Sequence, residues 1–142
     1  GLGNHPLNYF STSPLFYHSR NTFGINIIGN ENDSFKDYKP IKIGNDVWIG
    51  SGVTVNRKVN VGNGVILASG CVVTKDVPDY AIVAGVPARI IKFRFDEPTI
   101  KRLLDVSWWE WPEDVLKDCR HLFEYELSEA TLSEMERIKA LL

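Results

Sequence analysis

Three sets of residues in this chain are of types that carry chemistry. The first is His5, in GNHPLNYFSTSPLFYHSR, set between an asparagine and a proline ahead of aromatic and hydroxyl side chains. An imidazole so placed is either a turn residue or a general base that takes a proton near neutral pH. The second set is cationic: Lys75, then Arg89 and Lys92, three residues apart. They lie in residues 1–95, where ten Lys and Arg stand against six Asp and Glu, a net of +4. That balance can attract a small phosphorylated ligand. It is far too weak for a general nucleic-acid binder, which carries a clustered basic face. The third set is the cysteines, Cys71 and Cys119, too few for a disulfide framework and without zinc-ligand spacing around them. His18 and His121 lack any such surroundings and read as solvated side chains.

What must position these residues is a repeat. From Ile43 the sequence divides into sixes: IGNDVW, IGSGVT, VNRKVN, VGNGVI, LASGCV, VTKDVP. First positions are Ile43, Ile49, Val55, Val61, Leu67 and Val73; fifth positions are Val47, Val53, Val59, Val65, Cys71 and Val77. A short strand such as Val47-Trp48-Ile49 turns its first and third side chains one way and its middle one the other. Between strands come turn pairs such as Asn45-Asp46, Ser51-Gly52 and Asn63-Gly64, rich in residues that tolerate positive φ. A strand and corner every six residues predicts a triangular prism, an all-β core with two full coils over residues 43–78. Stacking by eighteen predicts Trp48 over Ile66, with Ala84 below, as an outward apolar stripe suited to a prism-to-prism interface. It also sets Ser51 over Ser69 and Arg57 over Lys75. Cys71 falls on an inward position, where a small buried residue is expected rather than a nucleophile.

A solenoid needs ends. After VPDYAIVAGVPARIIKFRF the spacing becomes helical: Ile100, Leu103, Leu104 and Trp108 share a face, and Pro112 opens a segment with Val115, Leu116 and Cys119. A last helix is expected near Ser133, running to Leu142. This tail holds six Lys and Arg against twelve Asp and Glu over residues 96–142. It should fold back on the prism through Trp108, Trp109 and Trp111, with an aromatic ligand site there as the lesser alternative. Residues 9–42 break the repeat and read as a long excursion, a kind of loop that is usually functional or disordered; their aromatic content argues against disorder. The chain is 44% hydrophobic over 142 residues, enough for one unit with a small appendage. No apolar run approaches the roughly 20 residues that span a membrane, and no signal-peptide pattern is visible, so a soluble cytoplasmic protein is expected.

Four segments occur in order: GNHPLNYFSTSPLFY, DVWIGSGVTV, GCVVTKDVPDYAIVAGVPARIIKFRF and SWWEWP. Together they resemble the xenobiotic branch of the hexapeptide-repeat acyltransferases, which holds chloramphenicol and streptogramin acetyltransferases and many sugar O-acetyltransferases. The resemblance covers about residues 1–112. It implies a left-handed parallel β-helix over 1–92 with the excursion 9–42, a helical extension over 93–142, and further coils before His5 that are short or missing here. It implies a homotrimer with the active site between prisms, acetyl-CoA as co-substrate and no metal. It implies that His5 is the general base; with Cys71 inward and no cysteine placed for a covalent route, transfer is expected to be direct. Trp48, Ser51, Ser69, Thr74, Lys75, Arg89 and Lys92 map to the acetyl-CoA site, with Arg89 and Lys92 on the nucleotide phosphates. STSPLFY looks closer to the sugar O-acetyltransferases than to enzymes of amine-rich drugs. The expected activity is therefore O-acetylation of a sugar or polysaccharide precursor, with an antibiotic acceptor as the alternative.

Two other classes are weighed against this. A zinc lyase on a trimeric β-helix needs three histidines on coil faces, and the hexads from 43 to 78 hold none. A non-catalytic assembly domain has no need of a His-Pro loop together with Lys75, Arg89 and Lys92.

Overall fold

The structure is a computed structural model describing residues 6–19, 23–25, 27–28 and 40–142. Six strands of two residues follow one another at intervals of six: β1 (Lys42–Ile43), β2 (Trp48–Ile49), β3 (Thr54–Val55), β4 (Asn60–Val61), β5 (Ile66–Leu67) and β6 (Val72–Val73). β1 pairs with β4, β2 with β5 and β3 with β6, all parallel, in the registers Lys42↔Asn60, Trp48↔Ile66 and Thr54↔Val72. Every partner lies eighteen residues on, so the three sheets are the three sides of a prism. Alternation decides the core: Val59, Val61, Val65, Leu67, Cys71 and Val73 are buried inside it. Fully burying an aliphatic side chain stabilises by about 1.5–3 kcal/mol, so this inward row holds the stack together.

The corners are turned by left-handed residues at Asp46, Gly52, Lys58, Gly64 and Gly70. They are also laddered: Asn63 Oδ1 accepts from Asn45 N at 2.8 Å, and Asp79 Oδ1 from Asn63 N at 2.6 Å. Gly64 has φ +63, and a Cβ there would lie 2.5 Å from the Tyr80 ring. The position therefore needs glycine twice over, for its backbone and for the ring beneath it.

The sixth hexad departs from the prediction. Lys75-Asp76 has no left-handed residue; the corner closes early, and Val77 bridges to Val61, sixteen residues back rather than eighteen. Asp76 accepts from Asn60 N at 2.7 Å and from Asn60 Nδ2 at 3.0 Å, which fixes the shorter corner. Val77 thus takes a first position, not a fifth. As a result β7 (Ala81–Ala84) sets Ile82, not Ala84, under Ile66. The third coil does not close. At Val86-Pro87 the chain turns, and β8 (Arg89–Phe93) runs back antiparallel along β7.

Beyond β8 come α1 (Glu97–Val106), α2 (Glu113–Asp118) and α3 (Glu129–Lys139). Asp96 caps α1 by accepting from Thr99 N, and Ser128 caps α3 by accepting from Thr131 N. The last helix therefore starts ahead of Ser133 and ends before Leu142. Leu103, Val106, Trp111, Cys119, Leu132 and Met135 form a second core with Tyr80 of the last coil. Trp111 anchors it, its Nε1 donating to Val106 O at 3.0 Å, while Trp108 lies edge-on to Phe123 with ring centres 5.5 Å apart. Arg102 ties α1 to α3 through Glu129 and Glu136. In the excursion, Ser13 caps a short turn at Pro14–Phe16, and Tyr17 behind it is buried. Among the described residues no helix is long and apolar enough to cross a membrane.

Candidate active site

The outward face of the sheet β2-β5-β7-β8 carries one row: Trp48, Ile66, Ile82 and Lys92. Trp48 heads the row and is 62% exposed. Lys92 joins it through a bulge. Residues three apart on a regular strand face opposite ways, but the register shift in β7–β8 sets Lys92 opposite Ile82 and Arg89 opposite Ala84, both outward residues.

At the corner beside this face Ser51 lies over Ser69, and Ser51 O accepts from Gly70 N at 2.8 Å. Gly50 allows the approach, since a Cβ there would sit 2.6 Å from Ser69 N. Both serines are exposed. Thr74 and Lys75 are exposed on the shortened corner. Lys75, Asp76 and Arg89 line one cavity of about 330 Å³, floored by Val73, Val77, Val83 and Ala88. The expected acetyl-CoA residues therefore fall into three groups: Trp48 with Lys92, Ser51 with Ser69, and Thr74 and Lys75 with Arg89. Sequence spacing joined Arg89 to Lys92; the structure joins Arg89 to Lys75. That pairing was hidden because it depends on the early corner at Asp76 and on the reversal of β8.

His5 lies outside the described residues. His18 packs beside Tyr17, ring centres 4.8 Å apart. Cys71 is fully buried, and burial pushes its thiol pKa up, away from the thiolate that a nucleophile needs. Cys119 is buried likewise and shifted the same way by burial.

A third corner was not singled out by the sequence. Asp46, Gly64 and Tyr80 stack there, all with positive φ. Arg94 reaches back to it, donating from Nη1 to Gly64 O at 2.9 Å and pairing with Asp46 at 3.3 Å. The available signal was Tyr80, an aromatic residue in a turn position that elsewhere in the repeat holds Gly, Asp or Lys, and it becomes visible only once the two-residue slip is known.

Residues 40–75 match the profile of the family described as bacterial transferase hexapeptide (six repeats). A chloramphenicol acetyltransferase of Escherichia coli is 36% identical over 118 residues, covering 83% of this chain and 54% of that protein. The galactoside O-acetyltransferase of Escherichia coli strain K12 is 49% identical over 53 residues, covering 37% of this chain and 26% of that protein. A hexapeptide-repeat acetyltransferase from Vibrio cholerae O1 biovar eltor, solved with acetyl coenzyme A, is 45% identical, covering 41% of this chain and 32% of that one, at a TM-score of 0.40. The chain spans about half the length of the chloramphenicol acetyltransferase it matches. With its hexads stacked in parallel coils and its relatives among chloramphenicol and galactoside acetyltransferases, the chain belongs to the hexapeptide-repeat transferase family.

Proposed function

We propose that the chain carries the coils of an acetyl-CoA-dependent O-acetyltransferase acting on a hydroxyl of a sugar or polysaccharide precursor. The observation that carries this reading is the cavity shared by Lys75 and Arg89. Two cations outnumber the one carboxylate of that cavity, Asp76, whose two oxygens are taken by Asn60. With the apolar floor they suit the phosphates and base of a nucleotide, since charge-assisted bonds to phosphate are among the strong ones. The Ser51–Ser69 corner offers hydroxyls and backbone groups to an extended arm, and Trp48 and Lys92 border the face beside it. In this reading His5 takes the proton of the acceptor hydroxyl as its oxygen attacks the thioester carbonyl. The proton then goes to the departing CoA thiolate, leaving an acetyl ester and free thiol. Burial of Cys71 supports direct transfer over an acyl-cysteine step. The same reading includes left-handed winding, a β-helix domain over 1–92 with a helical extension over 93–142, a homotrimer with the site between prisms, and a cytoplasmic location.

The test is release of thiol from acetyl-CoA with nucleotide sugars, free sugars and chloramphenicol as acceptors. Turnover is expected with a sugar, and none with any hydroxyl acceptor overturns the reading. His5→Ala should lower kcat by roughly 10²–10⁴, the usual contribution of a general base, with KM for acetyl-CoA almost unchanged. Near-normal turnover in that variant would move the base to another side chain, His18 first. A match to a chloramphenicol acetyltransferase over 83% of the chain favours an antibiotic hydroxyl as the second reading of the acceptor.

A further inference from the structure

The cavity at the Asp46–Gly64–Tyr80 corner belongs to none of the groups above. It holds about 530 Å³ between that corner and the helices, within the range of small-molecule sites. Five aromatic side chains line it: Tyr80, Phe95, Trp108, Phe123 and Tyr125. Three charged residues reach it, Asp46, Arg94 and Glu126.

Arg94 shows what these rings do. Its guanidinium carbon sits 5.3 Å from the Tyr80 ring centre and 5.4 Å from that of Phe95. Two ring faces already hold a cation, as the negative face of an aromatic ring favours. That cation is neutralised by Asp46. Glu126 is exposed and has no ion-pair partner among the described residues, so the lining carries one unbalanced negative charge. The surrounding chain agrees, with twelve acidic against six basic residues over 96–142. Burial, followed by the nearby Asp46 carboxylate, pushes the Tyr80 phenol up to about 12, so it stays a neutral donor at ordinary pH.

From this geometry we propose that the cavity binds an organic cation with an aromatic or aliphatic body, its ammonium group facing Glu126 and its body against Trp108, Phe123 and Tyr125. The occupant sits one corner away from Ser51 and Ser69, so it does not compete with the ligand proposed for the coils.

Binding to the whole chain is followed by tryptophan fluorescence and calorimetry with benzyltrimethylammonium, with its uncharged carbon isostere and with phenylacetate. The cation should bind, and the isostere and the anion should bind at least about threefold more weakly. Glu126→Gln should weaken the cation roughly three- to fivefold and leave the isostere unchanged, as fits an exposed charge pair. Tyr125→Ala should weaken the cation about two- to fivefold. Equal binding of cation and isostere, tighter binding of phenylacetate, or no saturable binding would each overturn the proposal. So would self-association in sedimentation that Tyr125→Ala abolishes, because the site would then take a second copy of the chain. None of these readouts needs acetyl transfer, so they stand apart from the activity test.

Discussion

Tyr80 has φ +56, a conformation uncommon for a bulky side chain, and it keeps that conformation while its ring packs close against Gly64 and beneath Arg94. Gly64→Ala should therefore destabilise through both the left-handed backbone and the contact with the ring. A loss of about 2 kcal/mol or more is expected in urea unfolding, whereas Gly70→Ala, with nothing near its side-chain position, should lose only the backbone part. At the cavity of Lys75 and Arg89, Lys75→Ala with Arg89→Ala should raise KM for acetyl-CoA about tenfold or more, at roughly 1.5–3 kcal/mol per charged bond. Saturated turnover should hold, because such contacts are equal in ground and transition states. The double variant should also lose any preference for acetyl-CoA over its 3′-dephospho form. The outward placement of Trp48 and the stacking of Ser51 over Ser69 were legible from the repeat, since a fixed period states which side chains face out and which stack. The partnership of Lys75 with Arg89 was not, because a reversed strand brings them together and no local pattern announces a reversal.

The helices were legible in kind, from a spacing that changes from two to 3.6, but the start of α3 was not. The sequence pointed near Ser133, whereas Ser128 caps the helix by accepting from Thr131 N, and with that start Leu132 and Met135 are buried in the second core. Ser128→Ala should lower the stability of α3 by about 1 kcal/mol, seen as earlier loss of far-ultraviolet helical signal, while Ser133→Ala should change little. α1 and α3 are also joined by charge. Hydrogen bonds from Arg102 hold the Glu129 and Glu136 carboxyls below the usual carboxylate range. Groups whose pKa is depressed by folding contribute above their unfolded pKa, about 4.3, and lose that contribution as pH falls through the folded value. Loosening of α1 from α3 is thus expected on acidification below about pH 4, followed by the fluorescence of Trp111. Arg102→Met should make that loosening much less steep, because the neutral side chain removes the pH-dependent part.

For the molecule as a whole, the row of Trp48, Ile66 and Ile82 leaves an apolar face on one side of the prism, a kind of surface that marks association. Light scattering should report a trimer at micromolar concentration. Trp48→Glu should shift it toward monomer with its helical content intact, and a stable monomer in the unchanged protein would remove the interface. Among the described residues the six stacked strands of the two coils were readable, and the last coil was not, because counting by six placed Ala84 where Ile82 stands. The short corner before Val77 explains why that slip did no harm. It drops an even number of residues, so inside remains inside: Ala81 and Val83 are buried, and Ile82 still faces out. Length in this segment is tolerated by parity. Deleting Thr74 alone should turn Ala81 and Val83 outward and unfold the third coil, while adding two residues beside it should keep every side chain on its present side. Urea midpoints of the two variants would show the odd change as far the more damaging. A change of length at such a corner is then expected to keep the faces of the coil only when it is even, so that the fold sorts such changes by parity before it sorts them by size.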